Sequence, residues 1–509
     1  MTRGTSSIAD RLRHIFARKS IDERDYAPIN EERLALTFED ENGFAAFPSV
    51  EEGEFDEDLE ALFSWVDYGI FALIGVAMLW AWNMFLAAAP YFQTRVAADP
   101  WIAANFQSTV ISVSTCTNLA AVLVLSNIQY SASYPFRINT ALLLNVVVFC
   151  LLTASTLLFL HASALAYLLF MVFMVSCSAW ACGLIQNGAF AFAASFGRPE
   201  YTQAIMAGQG VAGVLPPIAQ IATVLMFPPV TPPAEPTQTG SDAARSATVT
   251  GEGGDTSAFF YFLAAVIISI GALVAFQPLV KRHNRVVELR MGQAMSESMA
   301  SIEEAERAAR KVVGMKTLFF KLHWVALSVF MCFLVSMFFP VLTPKVLSVS
   351  GPPPPPLPPS TIATAPPTAA ASPPSRILQP AAFIPLAFFF WNLGDLLGRV
   401  ATMLPIAVVI QKRPVLLFAF SLARLFFLPL YFLCNLGGRG AVVGSDLFYL
   451  CLVQLPFGLT NGWLSSTAMM TAGEWVEEGE REAAGGFMSL CLVAGLAAGS
   501  FLSFSVGHV

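Results

Sequence analysis

Residues 388–399 read FFFWNLGDLLGR, and they set Asn392, Asp395 and Arg399 inside an apolar run that continues to about Ile410. At 3.6 residues per turn, spacings of three and four put all three on one helical face. Asp395 and Arg399 are four apart, close enough to pair. A charge at membrane depth costs about 3 kcal/mol or more unless it is paired or wet, so this face is expected to point inward, toward a cavity. The plainer alternative is an ion pair that only locks helix packing.

The rest of the chain supports that setting. Of its 509 residues 56% are hydrophobic and only 12% charged, with a mean hydropathy of +0.63. Soluble domains carry nearer a quarter charged residues. This is the composition of a polytopic, all-α membrane protein. The net charge of −7 says little about partners, because acidic residues crowd into 31–60. The eight cysteines fall in or beside apolar segments without metal-ligand spacing, so they read as small hydrophobic side chains.

Eleven segments are long enough to span a bilayer: 66–90, 106–127, 138–160, 164–192, 203–227, 257–279, 319–342, 380–409, 414–434, 445–469 and 484–505. Lys and Arg placement orients them. With the N-terminus inside, 21 fall on the inner side, five on the outer (Arg95, Arg245, Lys345, Arg376, Arg439), and Arg399 and Arg424 lie within spans. The N-terminus is therefore expected in the cytosol and the C-terminus outside it. The division is a cytosolic tail at 1–62, basic then acidic and read as disordered, and a six-helix bundle at 63–280. A mixed-charge cytosolic linker at 281–318 and a five-helix bundle at 319–509 follow. The outer loops 228–256 and 343–379 are low-complexity, the second containing GPPPPPLPP; neither can bury a core.

Nothing in the sequence forms a catalytic constellation. His14, His161, His283, His323 and His508 lie in tails, loops or span ends, and no HExxH or GxSxG element occurs within a span. We expect no enzyme activity, cofactor, metal or nucleic-acid partner; the surroundings are the lipid bilayer. What remains is a scatter of polar residues near mid-depth. Trp82 and Asn83 sit in GVAMLWAWNMF, where a ring face beside an amide suits an aromatic ligand. Gln186 and Asn187 lie among small residues in CGLIQNGAF, where amides either join helices or contact a ligand. MAGQGVAGVLPP, with Gly208, Gln209, Gly210 and Gly213, reads as a close-packing face, and LTNGWLSSTAMM carries Asn461, Ser465 and Ser466. Polar groups converging inside a helix bundle are the plan of a transporter for a polar, partly aromatic small molecule.

These same stretches (Trp82–Asn83, Gln186, MAGQGVAG at 206–213, WNLGDLLGR at 391–399, LTNGWLSSTAMM at 459–470 and the Gly/Ser-rich last span) resemble the equilibrative nucleoside transporters, from about residue 64 onward. The resemblance implies a 6+5 arrangement like that of the major facilitator superfamily, and alternating access, facilitative or proton-coupled. It also implies nucleosides such as adenosine and uridine as substrates, with nucleobases a further class. Asp395 and Arg399 would engage the ribose, Asn392 would support Asp395, Leu79, Trp82 and Asn83 would line the base, Gln186 would bond its edge, and Phe339 would line the cavity. Two departures stand out. Ala81 replaces the proline that relatives carry before Trp-Asn, and Gly394 replaces their aromatic residue before the aspartate. The second is expected to widen the cavity or to alter selectivity, acceptance of free bases included. If transport is proton-coupled, Asp395 is the only deeply placed acid; its pairing with Arg399 inclines the reading to facilitated diffusion. The rival readings are a carrier of another polar solute and a non-transporting receptor or scaffold. The plasma membrane and a vacuolar or endosomal membrane are both open.

Overall fold

The computed structural model describes residues 63–128, 133–158, 162–226, 258–283, 313–350, 376–404 and 410–506. The tail at 1–62, the loop 228–256, and most of 281–318 and 343–379 lie outside the described residues.

Among the described residues, twelve principal helices follow from the apolar segments. They are α1 (Trp65–Ala87), α2 (Ala89–Val96), α3 (Pro100–Asn127), α4 (Tyr134–Ser155), α5 (Ala164–Ser195) and α6 (Pro199–Met226). Next come α7 (Ala258–His283), then α8 (Met315–Ser336), α9 (Pro380–Ala401), α10 (Pro414–Ala423), α11 (Leu455–Thr471) and α12 (Arg481–Val506). Their starts are written in side chains. Ser64 accepts from the Asp67 N–H, Ser163 from the Ala166 N–H, and Asp99 from the N–H groups of Trp101 and Ile102, with Pro100 opening the helix. Such caps satisfy donors that the first turn leaves free.

Among the described residues, ten helices are long and apolar enough to cross a membrane. The eleventh expected span, 445–469, is helical too but in two registers, a π-helical stretch Phe448–Gln454 running into α11. Pro456 explains the change: it has no N–H to give the Leu452 carbonyl, and its ring crowds that carbonyl in an α-helix. Pro429 acts likewise on the ninth span, where the helix tightens to a 3₁₀ turn over Arg424–Phe426. Large apolar side chains such as Leu151, Leu169, Phe173, Ile267 and Val274 stand exposed. A helix apolar on all sides belongs in lipid, and these residues are its lipid-facing surface.

Among the described residues, α9 packs extensively with α11, and α1 with α6. Both depend on glycine. A methyl group at Gly75 or Gly208 would overlap the backbone carbonyl of Ile205 or Ala72, and one at Gly458 or Gly462 that of Trp391 or Asp395. Bare backbones touching in this way let helices pack by dispersion where lipid removes the hydrophobic drive.

The apolar core is forked. At the end where α1 begins, one cluster joins both halves of the chain, from Phe71, Ile185 and Tyr201 to Leu318, Leu464 and Met488. Toward the opposite end it separates. One branch holds Phe85, Phe92, Phe149 and Phe262 of the first half; the other holds Phe339, Phe383, Trp391 and Tyr449 of the second. The apolar core is thus continuous between the halves where α1 starts, with a cavity among Arg198, Thr202, Met470, Glu474 and Arg481 at that end, and divides beyond.

Candidate functional site

The base of the fork lies where α6 passes α9. There Gly213 of α6 faces α9, and its missing side chain leaves room for the Asn392 amide. One turn along, on the closed side, is the charged pair. Arg399 Nε donates to Asp395 Oδ2 at 2.7 Å, and both residues are 4% exposed. Spacing of four on one helix brings them together, as expected from the sequence.

Neither charge depends on its partner alone. Asn461 Nδ2, from α11, donates to the second carboxylate oxygen, Oδ1, at 2.7 Å. The arginine reaches across to the first half: its Nη1 donates to the Met206 carbonyl at 2.8 Å and to Gln209 Oε1 at 3.1 Å. Gln203 Nε2 donates to the Arg399 carbonyl at 3.0 Å, and its own Oε1 accepts from the Tyr68 hydroxyl at 2.6 Å. The ion pair is thus internal to α9, while neutral groups of α1 and α6 hold it from the other side. Buried charges are tolerable when their remaining donors and acceptors are satisfied in this way.

The other expected residues are placed as follows. Asn392 does not support Asp395: its Nδ2 donates to the Phe388 carbonyl of its own helix at 2.8 Å, and the supporting amide is Asn461. Asn83 Nδ2 donates to the Ala212 carbonyl of α6 at 2.7 Å, so it joins the two helices that meet at Gly75 and Gly208. Its neighbour Trp82 borders a small cavity with Phe85, Phe92, Gln93, Phe106 and Gln107. Leu79 is half-buried on the same helix. Gln186 is buried and makes no hydrogen bond among the described residues, whereas the adjacent Asn187 accepts from Arg137 and donates to Ser126 Oγ at 3.2 Å. Asn187 therefore joins helices, and Gln186 keeps its amide free. Phe339 stacks on Trp391 with ring centroids 4.2 Å apart and planes at 11°, within the second half's branch of the core. The hydrogen bonds of the Asp395–Arg399 pair reach none of Leu79, Trp82, Asn83, Gln186 or Phe339.

Gly394 does not widen a cavity. The space that an aromatic side chain would need is filled by α11, where a methyl group would overlap the Leu455 carbonyl. The glycine is there to admit a helix. The substitution of Ala81 for proline likewise leaves α1 continuous from Trp65 to Ala87.

Sequence reasoning assigned no site role to Asn461, Gln203, Gln209 or Arg424. Asn461 and Gln209 were visible as amides inside spans, but what each would face, 66 and 190 residues away, was not. Arg424 was detectable by the same rule that singled out Asp395, a charge within an apolar run. It is 1% exposed and hydrogen-bonds to Cys332 and Ser336 of the eighth helix. Among the described residues no group of three or more His, Cys, Asp or Glu side chains could hold a metal.

Comparison with known proteins adds a family. A family model described as "Nucleoside transporter" matches residues 170–236 and 243–508. The nucleoside transporter FUN26 of Saccharomyces cerevisiae is 28% identical over 475 residues, covering 86% of this chain and 83% of the relative. Equilibrative nucleoside transporter 1 of Rattus norvegicus is 26% identical over 491 residues, covering 86% and 95%. Among solved structures, the E. coli fucose:proton symporter FucP aligns over 86% of this chain and 96% of its own, at 12% identity and a TM-score of 0.47. A bacterial homologue of the iron transporter ferroportin aligns over 88% and 92%, at 13% identity and a TM-score of 0.48.

Proposed function

The chain belongs to the nucleoside transporter family, and from that premise we propose that it carries nucleosides such as adenosine and uridine through the fork by alternating access. Asp395 is the anchor. Each carboxylate oxygen has two lone-pair sites; one on Oδ2 is taken by Arg399 and one on Oδ1 by Asn461. Each oxygen keeps one site, and two sites side by side match the vicinal hydroxyls of a ribose. Arg399 holds the carboxylate and offers its remaining N–H groups to sugar oxygens. Gln186, buried with an uncommitted amide, bonds the edge of the base. Leu79, Trp82 and Asn83 line the base side, and Asn392 and Phe339 the wall formed by the second half.

The observation that carries this reading is the Asp395 carboxylate, fixed by two donors at the base of the fork with acceptor capacity to spare. Lys and Arg placement supports an N-terminus in the cytosol; in that orientation the continuous core faces the cytosol and the fork opens to the opposite side. The first six spans rock against the last five between the two openings. Transport is facilitated diffusion. The ion pair within α9 stays whole as the halves part, so the cycle requires no proton to replace a broken salt bridge.

Uptake of labelled adenosine and uridine into proteoliposomes, with and without a pH gradient, tests this. Saturable uptake that stops at equilibrium under either condition is expected. Accumulation beyond equilibrium under the gradient would make the protein a proton symporter. No uptake by folded protein would remove the nucleoside reading.

A further inference from the structure

Arg424 heads the fully buried side chains among the described residues, 1% exposed, at the 3₁₀ break of the ninth span. No carboxylate lies within salt-bridge distance of it among the described residues. Its Nη1 donates to the Cys332 carbonyl at 2.7 Å, its Nη2 donates to Ser336 Oγ at 3.0 Å, and its guanidinium carbon lies 5.1 Å from the centre of the Phe457 ring. A permanent cation so deeply placed is costly, and its surroundings tell what it serves.

Ser336 is the pivot. Its hydroxyl lies 2.7 Å from the Cys332 carbonyl and 2.8 Å from Asn461 Oδ1, and it has one proton to give. The guanidinium already donates to that carbonyl and fills a lone pair on the hydroxyl, which turns the Ser336 proton toward Asn461. The amide of Asn461 is then fixed: Oδ1 accepts from Ser336, and Nδ2 donates to Asp395 Oδ1. Arginine can only donate and a carboxylate can only accept, so the chain Arg424–Ser336–Asn461–Asp395 runs in one direction and admits no amide flip.

We propose that Arg424 is a positioning residue for the substrate carboxylate, a remote cation that orients Asp395 through Ser336 and Asn461. The proposal rests on the nucleoside reading above. Its purpose follows from where the contacts lie. Arg399 is shared with the first half through Met206 and Gln209 and must let go of them when the closed end opens. Every member of the Arg424 relay belongs to the last five spans. The relay therefore travels with α9 and keeps one carboxylate oxygen aimed in both states, while Arg399, still paired to the other oxygen, exchanges its contacts with the first half.

The test is uridine uptake by reconstituted protein, with KM and Vmax determined per folded transporter for Arg424→Lys, Arg424→Met, Ser336→Ala and the Met/Ala double variant. Losing one charge-assisted hydrogen bond predicts a KM about tenfold higher for Ser336→Ala and for Arg424→Met, at a Vmax within about twofold of the unsubstituted protein. Because both act along one chain, the double variant is expected to be no worse than either single one. Arg424→Lys, which can still donate to Ser336, is expected to recover most of the affinity. If Arg424→Met does not fold, Ser336→Ala and Arg424→Lys decide the matter. An unchanged KM for Ser336→Ala, or single effects that multiply in the double variant, would overturn the relay. Absence of uptake by the unsubstituted protein would instead overturn the nucleoside reading.

Discussion

The α1–α6 and α9–α11 pairs use the same packing device, glycines on each helix laid against backbone carbonyls of the other. Their polar content differs. The first pair contributes neutral groups: Gln203 and Gln209 meet Arg399 or its backbone, and Tyr68 holds Gln203. The second keeps both charges and the amide that completes them, Asp395, Arg399 and Asn461. A glycine face inside a membrane span is thus a scaffold whether or not a site lies beside it. Charge segregated on one side of a moving interface has a further consequence. When the halves separate, the hydrogen bonds lost at this seam are those from Arg399 to a carbonyl and an amide and from Gln203 to the Arg399 carbonyl, each worth about 1–3 kcal/mol net, and the Asp395–Arg399 ion pair is not split.

The comparison is broken most severely at Asp395. Asp395→Asn keeps the side chain's shape but leaves Arg399 without its counter-ion and removes an acceptor for a hydroxyl. Saturable uptake is expected to fall by roughly a hundredfold or more, with protein still eluting as a folded species, since two charge-assisted hydrogen bonds are at stake. Normal uptake by such a variant would assign the pair to packing alone.

The two glycine pairs can be set against each other directly. Gly462→Ala and Gly75→Ala each force a methyl group onto a carbonyl, and each should cost about 1–3 kcal/mol of stability, read as a lower Tm in detergent. Their uptake should diverge. Gly462 abuts the carbonyl of Asp395 itself, so its substitution is expected to raise KM as well, while Gly75→Ala leaves KM near its original value. Equal changes in KM would mean that the first pair is as much part of the site as the second.

Gly394→Ala sharpens the same point. It is expected to lower Tm by an amount similar to Gly462→Ala without changing the preference between adenosine and adenine, because α11 rather than a cavity occupies the space. A shift toward the nucleoside with unchanged Tm would restore the wider-cavity expectation.

The smallest effect is expected at the seam. Gln209→Leu removes the amide that accepts from Arg399 Nη1 and leaves the Met206 carbonyl in place. It should weaken closure by about 1 kcal/mol, a shift of roughly fivefold toward the state open at the α1 end. Labelling of a cysteine introduced on the α6 face near Gly210 would measure it.

What the sequence disclosed follows from the reach of each signal. Helices were legible because twenty apolar residues in a row have few other uses. Asp395 and Arg399 were legible because two charges in such a run are costly and their spacing lies within one helix. Asn461 was visible as an amide, but its partner is set by how closely α9 and α11 approach, and that depends on four glycines whose opposing carbonyls no local pattern reveals. Asn392 misled for the same reason. It shares the Asp395 face in projection, yet the groove left by Gly213 draws it toward α6. Gly394 misled because a missing side chain reads as empty space until the neighbouring backbone is placed. Arg424 carried its own signal, a buried charge, but its role depends on a chain of contacts through two other helices.

Binding of adenosine and of 2′,3′-dideoxyadenosine to purified protein, measured by calorimetry on the unsubstituted chain and on Asp395→Asn, addresses the central claim most directly. If Asp395 receives the ribose hydroxyls, the unsubstituted protein prefers adenosine by roughly a hundredfold, and Asp395→Asn brings adenosine down to the dideoxy level. Equal affinity for the two ligands in the unsubstituted protein, or the same preference in both proteins, would contradict it.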